Sequence, residues 1–321
     1  MNEEGDSLRL RVNFLEPETR CDTYIDSKMK AVWKVELDIL ECILQICKKH
    51  DLRITLHAGS LLGAIRHKGF VPWDDDLDVL MPRADYDVFL KVAPDELPSR
   101  YFMKTQYNDR GYLSPFAKIV DMTTSAIESE YSDYGIISRL GIFVDVFPFD
   151  ALPDNDRERR SLFRRAVHYQ SVRRRLVVRK RDGLSDTIKW LIANAEMMCR
   201  GGWERSSRRM EDYCRSRCQW EGATMGCACP LWLRADNYRR WSYPLHIFDK
   251  IELAQFEYLQ APISSFWEEM LVISYGDWRK MVRGGTLHEG MAFDPEKNFV
   301  DALVESYGYS ASDFPESWRM K

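Results

Sequence analysis

The stretch Ile54–Met81, ITLHAGSLLGAIRHKGFVPWDDDLDVLM, places the tightest limits on the fold. Three β-forming residues, Ile54, Thr55 and Leu56, run into Gly59-Ser60. A helix-forming segment follows to Arg66, and a Lys68-Gly69 turn leads to three successive aspartates. The order is strand, glycine turn, helix, acidic strand. Gly59 supplies backbone angles that close a strand against a helix start, and Ser60 offers a hydroxyl and an amide at that helix N-terminus, an anion site in outline. Asp76 and Asp78 alternate with Leu77 and Val79, the period of a strand that carries both carboxylates on one face, with Cα atoms about 6–7 Å apart. Two carboxylates about 4 Å apart repel by roughly 4 kcal/mol at an effective dielectric of about 20. A divalent cation removes that cost, and oxygen donors without Cys or His favour Mg²⁺ or Mn²⁺ over Zn²⁺. An acidic surface turn is the competing explanation; the Gly-Ser turn one helix upstream favours a site.

A third carboxylate comes from Gly141–Pro148, GIFVDVFP, because an aspartate inside a strongly β-forming run is costly unless something pairs it. Asp145 is that residue. With Asp76 and Asp78 it forms the expected catalytic and metal-binding set.

Gly59-Ser60-Leu61-Leu62-Gly63-Ala64, then Arg66-His67-Lys68-Gly69-Phe70-Val71-Pro72-Trp73-Asp74-Asp75-Asp76-Leu77-Asp78, then Arg83 and Asp85-Tyr86, resemble the LicD family. That family belongs with the nucleotidyltransferase-fold phosphotransferases and includes relatives of the fukutin group. Phe256-Glu257-Tyr258-Leu259, Ala261-Pro262 and Tyr275-Gly276-Asp277-Trp278 resemble its later part, although Val282–His288 lacks the family's prolines. The resemblance implies an α+β, nucleotidyltransferase-like mixed sheet with flanking helices and a helical insertion. It also implies transfer of a phospho-alcohol from a CDP-linked donor to a hydroxyl of a glycan or lipid-linked glycan, with CMP leaving. Phosphocholine is the most familiar cargo, and ribitol or glycerol phosphate are rivals. Gly59, Ser60, Arg66, Lys118 and His288 are the expected donor contacts, Arg83 and Asp85-Tyr86 brace the acidic strand, and Asp145 is the candidate base. Two alternatives share the core motif: a nucleotidyltransferase that uses a nucleoside triphosphate and releases pyrophosphate, and a silent binding module.

The chain has 321 residues, 45% of them hydrophobic, enough for a packed core, and a formal charge of −4 that gives no global pull toward nucleic acid. The N-terminus lacks a secretory signal and no apolar run is long enough to span a bilayer, so a cytoplasmic protein is expected. The expected divisions are an N-terminal arm at 1–27, a catalytic core at 28–150, a basic helical insertion at 151–225 and a C-terminal part at 226–321. Apolar positions from Val32 to Cys47 recur at threes and fours, an amphipathic helix over 28–50. The segment 157–181 carries eleven Arg or Lys against one acid, Glu158. It reads as a solvated helix, a membrane-surface contact at the inner face, or a grip on an anionic polymer. Residues 190–217 continue as helix with a break at Gly201-Gly202. Cys214, Cys218, Cys227 and Cys229 could hold a structural Zn²⁺, against four reduced, packed thiols.

Overall fold

The computed structural model describes residues 13–128, 135–178, 183–217, 222–234, 236–284 and 290–319. In the described part of the N-terminal arm, β1 (Glu18–Arg20) and β2 (Thr23–Ile25) close as a hairpin. Its two turn residues, Cys21 and Asp22, both have positive φ, 50° and 57°, as a tight two-residue hairpin turn requires. Asp26 then caps α1 (Ser27–Lys49), accepting from the Met29 amide at 2.7 Å. The stripe Val32, Val35, Ile39, Leu40, Ile43, Ile46 and Cys47 is buried against the sheet, as its spacing predicts.

After β3 (Thr55–Leu56) and α2 (Ala58–His67), the acidic segment enters β4 (Asp78–Pro82), which passes directly into α3 (Arg83–Glu96). β5 (Tyr101–Lys104), β6 (Ala117–Asp121), β7 (Ser125–Ile127) and β8 (Phe143–Ala151) follow. β8 is the spine of the main sheet. One edge pairs in parallel with β4, and the other pairs antiparallel with β6 along its first half and with β9 (Met225–Ala228) along its second. Buried on both sides, it reads as a nearly continuous apolar run. β10 (Ser242–Pro244) extends the sheet beyond β9, β5 beyond β6, and β3 beyond β4, giving a mixed seven-stranded sheet.

Between β8 and β9 stand three helices, α4 (Asp156–Val177), α5 (Gly183–Cys199) and α6 (Trp203–Arg217), with the break at Arg200–Gly202 where the glycine pair predicts it. Two small apolar clusters hold them, one around Leu162, Phe163 and Tyr169 and one of Val172, Ala193 and Met197. The C-terminal part adds the hairpin β11 (Ile251–Phe256) and β12 (Leu259–Ser264), then α7 (Trp267–Tyr275), β13 (Ala292–Asp294), paired with β7, and α8 (Phe299–Ser306). Glu257, at the β11–β12 turn, accepts from Arg20 at 2.7 Å and from the Phe70 amide at 3.0 Å, tying the β1–β2 and β11–β12 hairpins to the loop after α2. Among the described residues no helix is long and apolar enough to cross a membrane.

Candidate active site

The site is built where α2 ends, the acidic loop turns and β4 begins. The β4–β8 register sets Asp78 directly beside Asp145, about 4.8 Å apart at Cα as neighbouring strands require. The Asp145 amide donates to the Leu77 carbonyl at 2.9 Å, and the His57 amide donates to the Asp78 carbonyl at the same distance. Three segments are thereby stitched around one pair of acids.

Asp76 departs from its expected place. It lies in the irregular segment before β4, whose first residue is Asp78, so the two are not consecutive outward positions of one strand. The loop instead folds on itself: carboxylate oxygens of Asp74, Asp75 and Asp76 all come within 4.8 Å of one another. Among the described residues it is this trio, rather than Asp76 with Asp78 and Asp145, that closes to that spacing. The loop is held by α1, where the Trp33 indole donates to the Asp74 carbonyl at 3.1 Å and stacks on Phe70 at 4.6 Å.

The glycine of the motif serves a different purpose from the one its backbone freedom suggests. The left-handed residue at the strand–helix junction is Ala58, with φ of 47°. A Cβ on Gly59 would stand 2.3 Å from Asp74 Oδ2, so Gly59 is needed for the carboxylate's approach. Ser60, buried, accepts from the Asp78 amide at 2.8 Å, which positions the acidic strand and leaves the hydroxyl proton to give.

Lys118 is not a solvated lysine. It sits opposite Asp145 on β6, buried, with Nζ 2.9 Å from Asp145 Oδ1 and 3.3 Å from the Phe143 ring centre. Arg66 donates to the Trp278 carbonyl at 3.1 Å, at the rim rather than among the acids. Arg83 braces as expected but reaches further: it grips Asp150 through two bonds of 2.7 and 2.6 Å and Glu211 of α6 at 2.9 Å, joining the sheet to the three helices. Asp85 pairs with Arg53 at 2.8 Å, and Tyr86 is buried under Arg83. Cys214, Cys227 and Cys229 are buried in the apolar cluster between sheet and helices, where burial pushes the Cys229 thiol up. Cys218 and His288 lie outside the described residues.

Electrostatics mark the same place. Burial first, then the charges of Asp76, Asp145 and Asp74, push the Asp78 carboxyl well above the usual range, with Lys118 opposing. Burial likewise raises Asp74 to about 6, a hydrogen bond from Asp76 acting the other way and Asp75 adding to the rise. Two residues here escape sequence reasoning. Glu36, on the buried face of α1, is pushed well up by burial and by Asp76, Asp75, Asp74 and Asp78, and its Oε2 has no hydrogen-bond partner among the described residues. His57, enclosed by Phe147, Trp241 and Tyr243, is pulled down to about 3 by burial. A glutamate at a helical core position was a visible signal; its neighbours were not.

The chain is thus an α/β protein whose mixed sheet presents acids from a loop and two adjoining strands beside a Gly-Ser helix start. Residues 51–177 match the LicD/FKTN/FKRP nucleotidyltransferase domain. The lipopolysaccharide cholinephosphotransferase LicD of Haemophilus influenzae is 26% identical over 255 residues, covering 76% of this chain and 89% of that protein. Over 50 residues, 16% of this chain, uncharacterized proteins of Rickettsia prowazekii and Rickettsia typhi are 43% and 36% identical, spanning 19% and 16% of their own lengths.

Proposed function

We propose that this LicD-type phosphotransferase moves phosphocholine from a CDP-linked donor to a hydroxyl of a lipopolysaccharide-type glycan, releasing CMP. The observation that carries the reading is the level placement of Asp78 and Asp145 on adjoining parallel strands. The raised Asp78 carboxyl supports a cation there, since the crowding is tolerable only if the charge is neutralised. All the donors are hard oxygens, which fits Mg²⁺ or Mn²⁺. Asp76, Asp78 and Asp145, with Asp74 beside them, would hold the ion, which when bound neutralises charge on the donor phosphates.

The chain's own residues do the rest. The acceptor oxygen attacks the phosphorus that bears choline, the new P–O bond forms as the bond to CMP breaks, and Asp145 takes the hydroxyl proton. Lys118 meets a phosphate oxygen from its place beside Asp145, and the hydroxyl and amide of Ser60, ahead of the Leu61 amide that donates to the His57 carbonyl, receive the donor phosphates. Three aromatic faces support a quaternary ammonium as cargo. Phe147 is two residues beyond Asp145, and Trp241 and Tyr275 lie 6.1 Å apart, with Asp74 and Asp78 among the charges that act on the Tyr275 phenol. The Arg240 guanidinium already lies over both rings, at 5.0 and 5.1 Å, so these faces accept a cation.

Incubation with CDP-choline, Mg²⁺ and lipopolysaccharide is expected to yield CMP and phosphocholine ester in equal amounts, lost on chelation. Trp241→Ala should raise KM for CDP-choline more than for CDP-ribitol. Pyrophosphate released from a nucleoside triphosphate, with no CMP from any CDP-alcohol, overturns the reading in favour of nucleotidyl transfer.

A further inference from the structure

Helix α5 has two apolar faces and uses one. Ala193 and Met197 are buried against Val172 of α4. On the opposite side Leu184, Ile188, Leu191, Ile192, Ala195 and Met198 all face solvent, with Leu184 77% and Met198 78% exposed. At about 100° per residue these six fall on one arc roughly 120° wide, and no charged side chain interrupts it. A single exposed leucine is ordinary, but a continuous stripe along a whole helix marks a surface that something covers.

Charge says what covers it. Residues 156–217 hold eighteen Lys or Arg against eight Asp or Glu, in a chain whose total is −4. At the C-terminal end of the stripe, two residues past Met198, Arg200 joins Arg164, Arg165 and Arg209 in lining a cleft of about 550 Å³ between α4 and α6. Arg164 and Arg209 donate to the backbone carbonyls of Arg160 and Arg200, and among the described residues neither has a carboxylate partner. Guanidiniums gathered in one cleft repel each other unless an anion joins them, and phosphate is the anion their fork geometry fits. A second copy docked through the stripe would bring two such cationic units together, which charge disfavours. An apolar face that ends at Arg200, itself paired with Glu196 at 2.6 Å, with Arg164 and Arg209 beyond it, suits an anionic lipid bilayer.

We propose that the three-helix unit seats the protein on an anionic phospholipid surface, the α5 stripe entering the acyl boundary and the arginine cleft taking lipid phosphates. The inference goes beyond the transfer reading and is tested without donor or acceptor. Co-sedimentation of the full chain with phosphatidylglycerol–phosphatidylcholine vesicles is expected to exceed that with phosphatidylcholine alone by about 10-fold or more, and to fall with added salt. Ile188→Asp with Leu191→Asp, and separately Arg164→Glu with Arg209→Glu, should each reduce partition by about 10-fold with unchanged melting, since all four side chains are exposed. Should the double-aspartate variant fold poorly, the milder Leu191→Ser and the wild-type comparison of the two vesicle types still decide. Equal sedimentation with both vesicle types, undiminished binding of folded stripe variants, or a wild-type dimer that Leu191→Asp dissociates without any vesicle binding would each overturn it.

Discussion

Around β4 and β8 the carboxylates of Glu36, Asp74, Asp75, Asp76, Asp78 and Asp145 are crowded together, three of them buried and three half-buried, whereas most of the described arginines of α4–α6 stand exposed. Both regions concentrate one sign of charge, but burial makes them physically different. Exposed arginines repel weakly through water and salt, so a long basic helix costs little and its charge can be varied. Buried acids interact through a poorer dielectric, so their protonation shifts and each position matters. The two regions meet at Arg83, a buried cation paired with a buried acid from each side, Asp150 of the sheet and Glu211 of α6.

The contrast can be broken at several points. Asp78→Asn is expected to lower transfer by about 10²–10³-fold or more while leaving melting unchanged or raised, because it removes one of several neighbouring buried charges. A parallel loss of stability would show that Asp78 holds the fold instead. Arg83→Met strands the buried Asp150, while Glu211 keeps Arg215 and Tyr107, and should cost about 3–5 kcal/mol in denaturant unfolding, whereas Arg164→Ala should stay within about 0.5 kcal/mol. Similar costs for the two would erase the distinction between buried and solvated charge. Gly59→Ala pushes on the end of the Asp74 side chain rather than on backbone, so turnover should fall about 10-fold or more with under about 1 kcal/mol of destabilisation. The smallest effect is chemical: native-state alkylation followed by mass spectrometry should mark the exposed Cys21 and Cys199 first and spare Cys47, which is buried and raised to about 12.

Local chemistry was legible wherever it repeats along the chain. Helix α1 follows from threes and fours, the interruption before α6 from Gly201-Gly202, and the special standing of Asp145 from the apolar run that surrounds it. The roles of Gly59, Ser60 and Lys118 were read in part. Each was placed near the site, but spacing could not reveal that Gly59 clears room for Asp74, that Ser60 braces Asp78, or that Lys118 pairs with Asp145. Those contacts join residues 15 to 27 positions apart, and they depend on how loops close.

The order of residues was therefore sufficient for α1, the β8 run and the helical insertion, for the acids and for the likeness of the 54–81 stretch to one family, because propensity, periodicity and motif spacing are properties of neighbours. Which acids stand together came from the fold: the β4–β8 register that levels Asp78 with Asp145, the loop that gathers Asp74 to Asp76, and the helix that brings Glu36 over them. The solvent-facing stripe of α5 was equally hidden. A helix with apolar residues on two sides reads as core until packing leaves one of those sides uncovered.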